Sequence, residues 1–149
     1  MILYADSSAI LSIHLREPSR HDVALDAVRA SDAVATSLIG FVEVRSGLAR
    51  ARFLENPARL NDETYERAIE DFTADWRSYF RIRISNRLIR TAGLLAEKHR
   101  LRAYDAIHLA SAIELQERTP DSVAIATWDR ALAFATEIEG LSLAHEVTA

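Results

Sequence analysis

Three short apolar runs constrain this chain more than anything else in it: ILYA at 2–5, AVAT at 33–36 and VAIAT at 123–127. Each is too short for a buried helix and lacks polar alternation, the pattern of a strand covered on both faces. FRIRI at 80–84 alternates as an edge strand does, and LSLAHEV at 141–147 is a weaker fifth candidate. Between these runs the apolar period becomes helical. Ser19 is placed to cap a helix reaching about Ala30, Ser37 one from Leu38 to about Phe53, and Asn61 one from Asp62 to Tyr79. Further helical stretches cover 86–99, 104–117 and 129–138. Strands alternating with helices predict an α/β fold: a mainly parallel central sheet of four to five strands flanked by helices on both faces. Two helical stretches, 86–99 and 104–117, fall between the same two strands, so one of them is expected to cross the sheet obliquely.

A chain of 149 residues with 49% hydrophobic and 27% charged residues suits one globular domain, 1–149. At that size it buries roughly 70% of the surface its unfolded form exposes. The absence of cysteine excludes disulfides and thiolate metal sites, and it fits a reducing cytoplasm. MILYADSS lacks the basic flank of an export signal, and the longest apolar runs fall short of a membrane span, so no membrane association is expected. A net charge of −4 argues against coating nucleic acid through overall basicity. One basic cluster, Arg45, Arg50, Arg52 and Arg59, reads first as a solvated helix face.

The stretch RLRAYDAIHLASAIELQ at 100–116 poses the sharpest chemical question. Asp105 is the only acid from Ala103 to Ile113, in surroundings that are otherwise apolar, small or neutral. An ionised carboxylate withdrawn from water costs several kcal/mol unless a cation or hydrogen-bond donors meet it. The acids of DETYERAIEDFTADWRSYF carry no such burden. They stand among polar neighbours, while Tyr65, Ile69, Phe72 and Trp76 define that helix's packed side.

In a parallel α/β sheet, ligands bind beyond the carboxyl ends of the strands, near the switch in strand order. Asp6 ends the first run and Asp129 follows VAIAT by two residues, so both belong to that edge. A helix leaving 33–36 begins there, with Glu43 in its second turn, and a helix feeding 123–127 begins there too, with Asp105 in its first turn. Four carboxylates are thus expected to converge, and together they raise one another's pKa unless a cation intervenes. Oxygen ligands alone, without cysteine or a histidine pair on one helix face, favour a hard ion, Mg2+ with Mn2+ as substitute. Such an ion binds phosphate oxygens and activates water, the chemistry of phosphodiester hydrolysis. A phosphatase or deoxyribonuclease fits the same acids, as does a non-catalytic scaffold whose acids hold a stabilising ion. Ser7 and Thr127 are hydroxyls placed to orient the neighbouring acids. His108 reads as a satisfied core histidine before a general base, and Trp128 as packing before a base-stacking platform.

At these positions the chain resembles the PIN-domain ribonucleases, most closely the VapC toxins of bacterial type II toxin–antitoxin pairs. YADSSAIL is similar to the family's opening motif and carries its acid to Asp6 and its hydroxyl to Ser7; FVEVRSGL carries the second acid to Glu43. YDAIHLASA carries the third to Asp105, and ATWDRALAFA the fourth to Asp129 with Thr127 in support. The resemblance implies a single PIN-like domain, a Mg2+- or Mn2+-dependent endoribonuclease cutting RNA to leave a 5′-phosphate and a 3′-hydroxyl, and tRNA or rRNA among the possible targets. It also implies a homodimer restrained by a cognate antitoxin. An acidic site needs nearby cations to hold an RNA backbone, which raises Arg45 and Arg50 as substrate-binding candidates.

Overall fold

The computed structural model describes residues 1–147. Among these residues five strands form a single parallel sheet: β1 (Ile2–Ala5), β2 (Ala33–Ser37), β3 (Phe80–Ile82), β4 (Val123–Ala126) and β5 (Ser142–Leu143), in the order β3-β2-β1-β4-β5. The apolar runs occupy the centre and FRIRI an edge, as their patterns require. The fifth strand is shorter than expected, two residues rather than LSLAHEV, and the chain bends at Ala144 and His145 just after it.

Among the described residues seven helices connect the strands: α1 (Ser7–His14), α2 (Arg20–Arg29), α3 (Gly40–Ala51), α4 (Asp62–Ser78), α5 (Asn86–His99), α6 (Ala103–Arg118) and α7 (Arg130–Ile138). Helix α1 is absent from the sequence reading. Its eight residues, SSAILSIH, are too few for a clear apolar period, and what starts it is the Asp6 carboxylate accepting from the Ala9 amide. Two expected caps are also corrected. Ser19 adopts a left-handed φ of 62° and gives its hydroxyl to the Pro18 carbonyl instead of capping α2. Ser37 stays in β2, and a turn through Leu38 and Ile39 intervenes before α3. Asn61 does cap α4, accepting from the Thr64 amide at 2.8 Å.

Strand alternation divides the core in two. Leu3, Ala5 and Ala126 face α1, α3 and α4, where Phe72, Trp76, Val44 and Leu48 are buried. Tyr4, Ala35, Val123 and Ile125 face α5, α6 and α7, with Leu88, Leu95, Leu109 and Leu132. On the first side Gly47 lets α3 approach α1, since a Cβ there would stand 2.6 Å from Leu11 Cδ1. The pair α5–α6 is antiparallel, with Arg87 near the start of one 3.5 Å from Glu117 near the end of the other. That arrangement answers the crossing question. Helix α5 returns toward the carboxyl edge of the sheet and delivers the start of α6 there.

Candidate active site

The switch in strand order lies between β1 and β4, and the residue pair following them is the heart of the site. Asp6 continues the Ile2–Tyr4 side of β1, so it leans toward α6. It is buried, yet every oxygen is answered: Oδ1 accepts from the Ala9 amide (2.9 Å) and Ser8 Oγ (2.7 Å), and Oδ2 from Thr127 Oγ1 (2.6 Å). Burial pushes its carboxyl above the ordinary aspartate range, and the neighbouring His108 and these donors only partly counter it.

Thr127 joins two acids, for its Oγ1 donates to Asp6 and accepts from the Asp129 amide at 3.0 Å. Asp129 in turn caps α7, its Oδ1 accepting from the Leu132 amide at 2.8 Å. Both strand-end acids therefore serve as helix caps, a role that fixes each carboxylate without consuming all its lone pairs. Trp128, between them, is packing: His145 stacks on it at 4.2 Å, Arg20 covers it at 5.2 Å, and its indole N–H donates to Ser12.

Asp105 sits in the first turn of α6 with its side chain 21% exposed. Its carboxyl is pushed up to about 6 by burial first, then by the negative charges of Asp129 and Asp6, against the opposing pull of Arg102 and His108. The sequence's lone acid is therefore electrostatically coupled to both strand-end acids. Arg102, which sequence reading passed over, stands between two of them: Nε is 3.8 Å from Asp105 Oδ2 and Nη2 3.7 Å from Asp129 Oδ2. Its proximity to the motif, three residues before Asp105, was the available signal. With 86% of its side chain exposed, the guanidinium is free to leave.

Glu43 falls in the first turn of α3, not the second, because the helix starts at Gly40. It faces α6 across the end of the sheet and accepts on Oε1 from Ser7 Oγ (2.8 Å) and His108 Nε2 (2.7 Å). Burial would raise its carboxyl, but His108 and Ser7 together outweigh that and hold it below the usual glutamate range. His108 is thus neither isolated in the core nor free. Arg45 instead covers the Phe41 ring at 5.3 Å. Arg50, seven residues and about two turns beyond Glu43, shares Glu43's side of α3 and is exposed.

The donor set is all carboxylate oxygen, which suits a hard cation. Among the described residues no three Asp, Glu, His or Cys side chains are gathered closely enough to hold a metal ion as they stand. Asp6, Asp105 and Asp129 stand as an open, mutually repelling set partly bridged by Arg102. That openness fits Mg2+, which retains several waters and takes only one or two carboxylates directly.

The family model of the PIN domain matches residues 3–135. Ribonuclease VapC45 of Mycobacterium tuberculosis is 30% identical over 147 residues, covering 96% of this chain and 94% of the relative. Among solved structures, a toxin–antitoxin complex from Klebsiella pneumoniae superposes with a TM-score of 0.63 at 22% identity, covering 98% of this chain and 99% of that one. VapBC2 from Rickettsia felis, bound to a DNA fragment from its promoter, gives 0.63 at 15% identity, covering 96% and 97%. At these identities the two structures speak to the fold alone.

Proposed function

We propose that this chain, which belongs to the PIN domain family, is a Mg2+- or Mn2+-dependent endoribonuclease that hydrolyses RNA phosphodiester bonds. The observation that carries the reading is the convergence of three carboxylates from separate segments at one sheet edge: Thr127 joins Asp6 to Asp129, and Arg102 lies 3.8 Å from Asp105 and 3.7 Å from Asp129. A relative of 30% identity bearing the name ribonuclease supports the substrate class.

In this reading Asp6, Glu43, Asp105 and Asp129 would hold the cation. When bound, the ion supplies a polarised phosphoryl oxygen and a water made acidic enough to attack phosphorus. The chain's own residues do the rest. Thr127 and the helix caps keep Asp6 and Asp129 from rotating away from the edge. Glu43, held ionised by its donors, offers a carboxylate to orient the attacking water. Arg102, exposed beside Asp105 and Asp129, would offer its guanidinium to an RNA phosphate, a natural partner for its planar donors. Arg50 extends that cationic path along α3, and Arg45, tied to Phe41, contributes less.

We read the chain further as the toxin of a toxin–antitoxin pair, acting in the cytoplasm and restrained by a cognate antitoxin. Solved neighbours that are such complexes support this. Among the described residues no helix is long and apolar enough to cross a membrane. Exposed apolar side chains near the β3 edge, Leu38, Val42, Phe80 and Ile84, suit a second copy of the chain, which sedimentation would test.

The deciding experiment incubates purified protein with single-stranded RNA, single-stranded DNA and a phosphomonoester, each with Mg2+, Mn2+ or chelator. Cleavage of RNA alone, abolished by chelator, is the expected result. Turnover of DNA or of the monoester in preference to RNA would reassign the reaction. Metal-dependent thermal stability without turnover would mark a scaffold.

A further inference from the structure

Tyr4 lies in the middle of β1, fully buried, and the strand's two-residue period turns it toward α6. Its hydroxyl meets His108 Nδ1 at 2.9 Å, with the two rings edge to face. On the far side of the imidazole, Nε2 lies 2.7 Å from Glu43 Oε1 and 3.2 Å from Ser7 Oγ. An ionised carboxylate oxygen only accepts, so Nε2 carries the proton. Nδ1 faces the Tyr4 hydroxyl, so one line of hydrogen bonds runs from phenol through imidazole to carboxylate.

A histidine buried to 2% exposure in an otherwise apolar helix face is costly unless its nitrogens are satisfied. Here the two partners come from β1 and α3, on opposite sides of the sheet's end, and Glu43 is the element that needs them. A glutamate at a half-buried edge has three side-chain torsions to sample, and two converging donors leave it few choices. Both donors fall on Oε1, so Oε2 is the oxygen left for a cation or water.

We propose that Tyr4 and His108 are positioning residues for Glu43, a buried relay that sets the orientation of its carboxylate from beneath the sheet. The proposal rests on the reading that Glu43 serves metal-dependent hydrolysis. It assigns His108 a task distinct both from general base catalysis and from core filling.

The test uses the full chain and three variants, His108→Leu, His108→Gln and Tyr4→Phe. Three quantities are read: Mn2+ affinity by calorimetry, kcat and KM on single-stranded RNA, and the urea midpoint. His108→Leu should bind Mn2+ and turn over RNA about 10- to 100-fold less well, the usual cost of losing a partner that orients a ligand. KM for RNA should hardly move. His108→Gln, which keeps a side-chain N–H, should recover most of both losses, and Tyr4→Phe should fall between wild type and His108→Leu. Wild-type Mn2+ affinity and kcat in His108→Leu would overturn the proposal. So would equal losses in the Leu and Gln variants that merely follow their urea midpoints. Should His108→Leu fail to fold, Tyr4→Phe decides alone, and wild-type values in it refute the relay. If the wild type binds Mn2+ but cuts no RNA, the ribonuclease reading fails, while the Mn2+ affinities of the variants still decide whether Glu43 is positioned this way.

Discussion

Helix α4 carries six acids, Asp62, Glu63, Glu66, Glu70, Asp71 and Asp75, against four at the carboxyl edge of the sheet, yet the edge is where chemistry is possible. All six on α4 are exposed, and two are answered by nearby bases, Asp62 by Arg52 at 2.9 Å and Glu63 by Arg67 at 3.1 Å. Water and mobile partners solvate them, so each acts singly and is worth little. The edge acids come from four segments and are buried or half-buried, and two of them, Asp129 and Asp6, help to push up the carboxyl of a third, Asp105. A count of charges says nothing about a site; shared desolvation does.

The largest effect that tests this contrast is on turnover. Asp6→Asn or Asp105→Asn should abolish RNA cleavage by several orders of magnitude, while Glu66→Gln and Glu70→Gln together leave it within about twofold, since exposed acids without fixed partners carry little energy. Because asparagine caps a helix about as well as aspartate, Asp6→Asn should remain folded, which circular dichroism would verify. A dead Glu66→Gln/Glu70→Gln variant would erase the distinction. Next in size, Thr127→Val removes the hydroxyl shared by Asp6 and Asp129. Activity should drop about 10- to 100-fold, with a loss of about 1.5–3 kcal/mol in a urea melt, as for a buried bond to a charged group.

A third test uses pH. The Asp105 carboxyl is pushed up to about 6, above its unfolded value, so the native state holds that proton more tightly. The stability this brings is complete below the unfolded pKa, about 4, and is lost as pH rises through 6. Metal-free wild type should therefore lose Tm relative to Asp105→Asn between pH 4 and 7, and Mn2+ should restore it. Glu43, held low, works in the opposite sense, contributing stability at neutral pH that is lost as pH falls through its folded pKa. The α4 double variant should leave the Asp105-dependent part of the profile unchanged. The smallest expected effect is at Arg50. Arg50→Ala should weaken RNA binding modestly and lower the slope of affinity against salt by about one phosphate contact, with Arg45→Ala changing less. An unchanged slope would place Arg50 on the solvated face with α4.

Much of this arrangement was legible in the chain before any coordinates. Asp105 could be singled out because a lone acid among apolar neighbours has few explanations, and the strand-end positions of Asp6 and Asp129 follow from where the apolar runs stop. Helix α1 escaped because its start is set by Asp6, whose carboxylate was assigned wholly to the site. Arg102 escaped because an arginine outside a helix looks like any solvated cation until Asp129, distant in sequence, is found beside it. His108 is the satisfied, buried histidine expected, but its partners, Tyr4 and Glu43, lie 104 and 65 residues away and could not be named from the chain.

By itself, then, the sequence determined which runs could be strands, that they would lie parallel with helices between them, and which acids could not be left to water. Those properties depend on local pattern and on the cost of burying charge, both readable residue by residue. Only the tertiary structure decided which groups answer one another: Thr127 joining Asp6 to Asp129, Arg102 spanning two acids, and Tyr4 reaching Glu43 through His108. Hydrogen bonds and ion pairs act over a few ångströms, and distance in the chain carries no record of which side chains the sheet edge will bring that close.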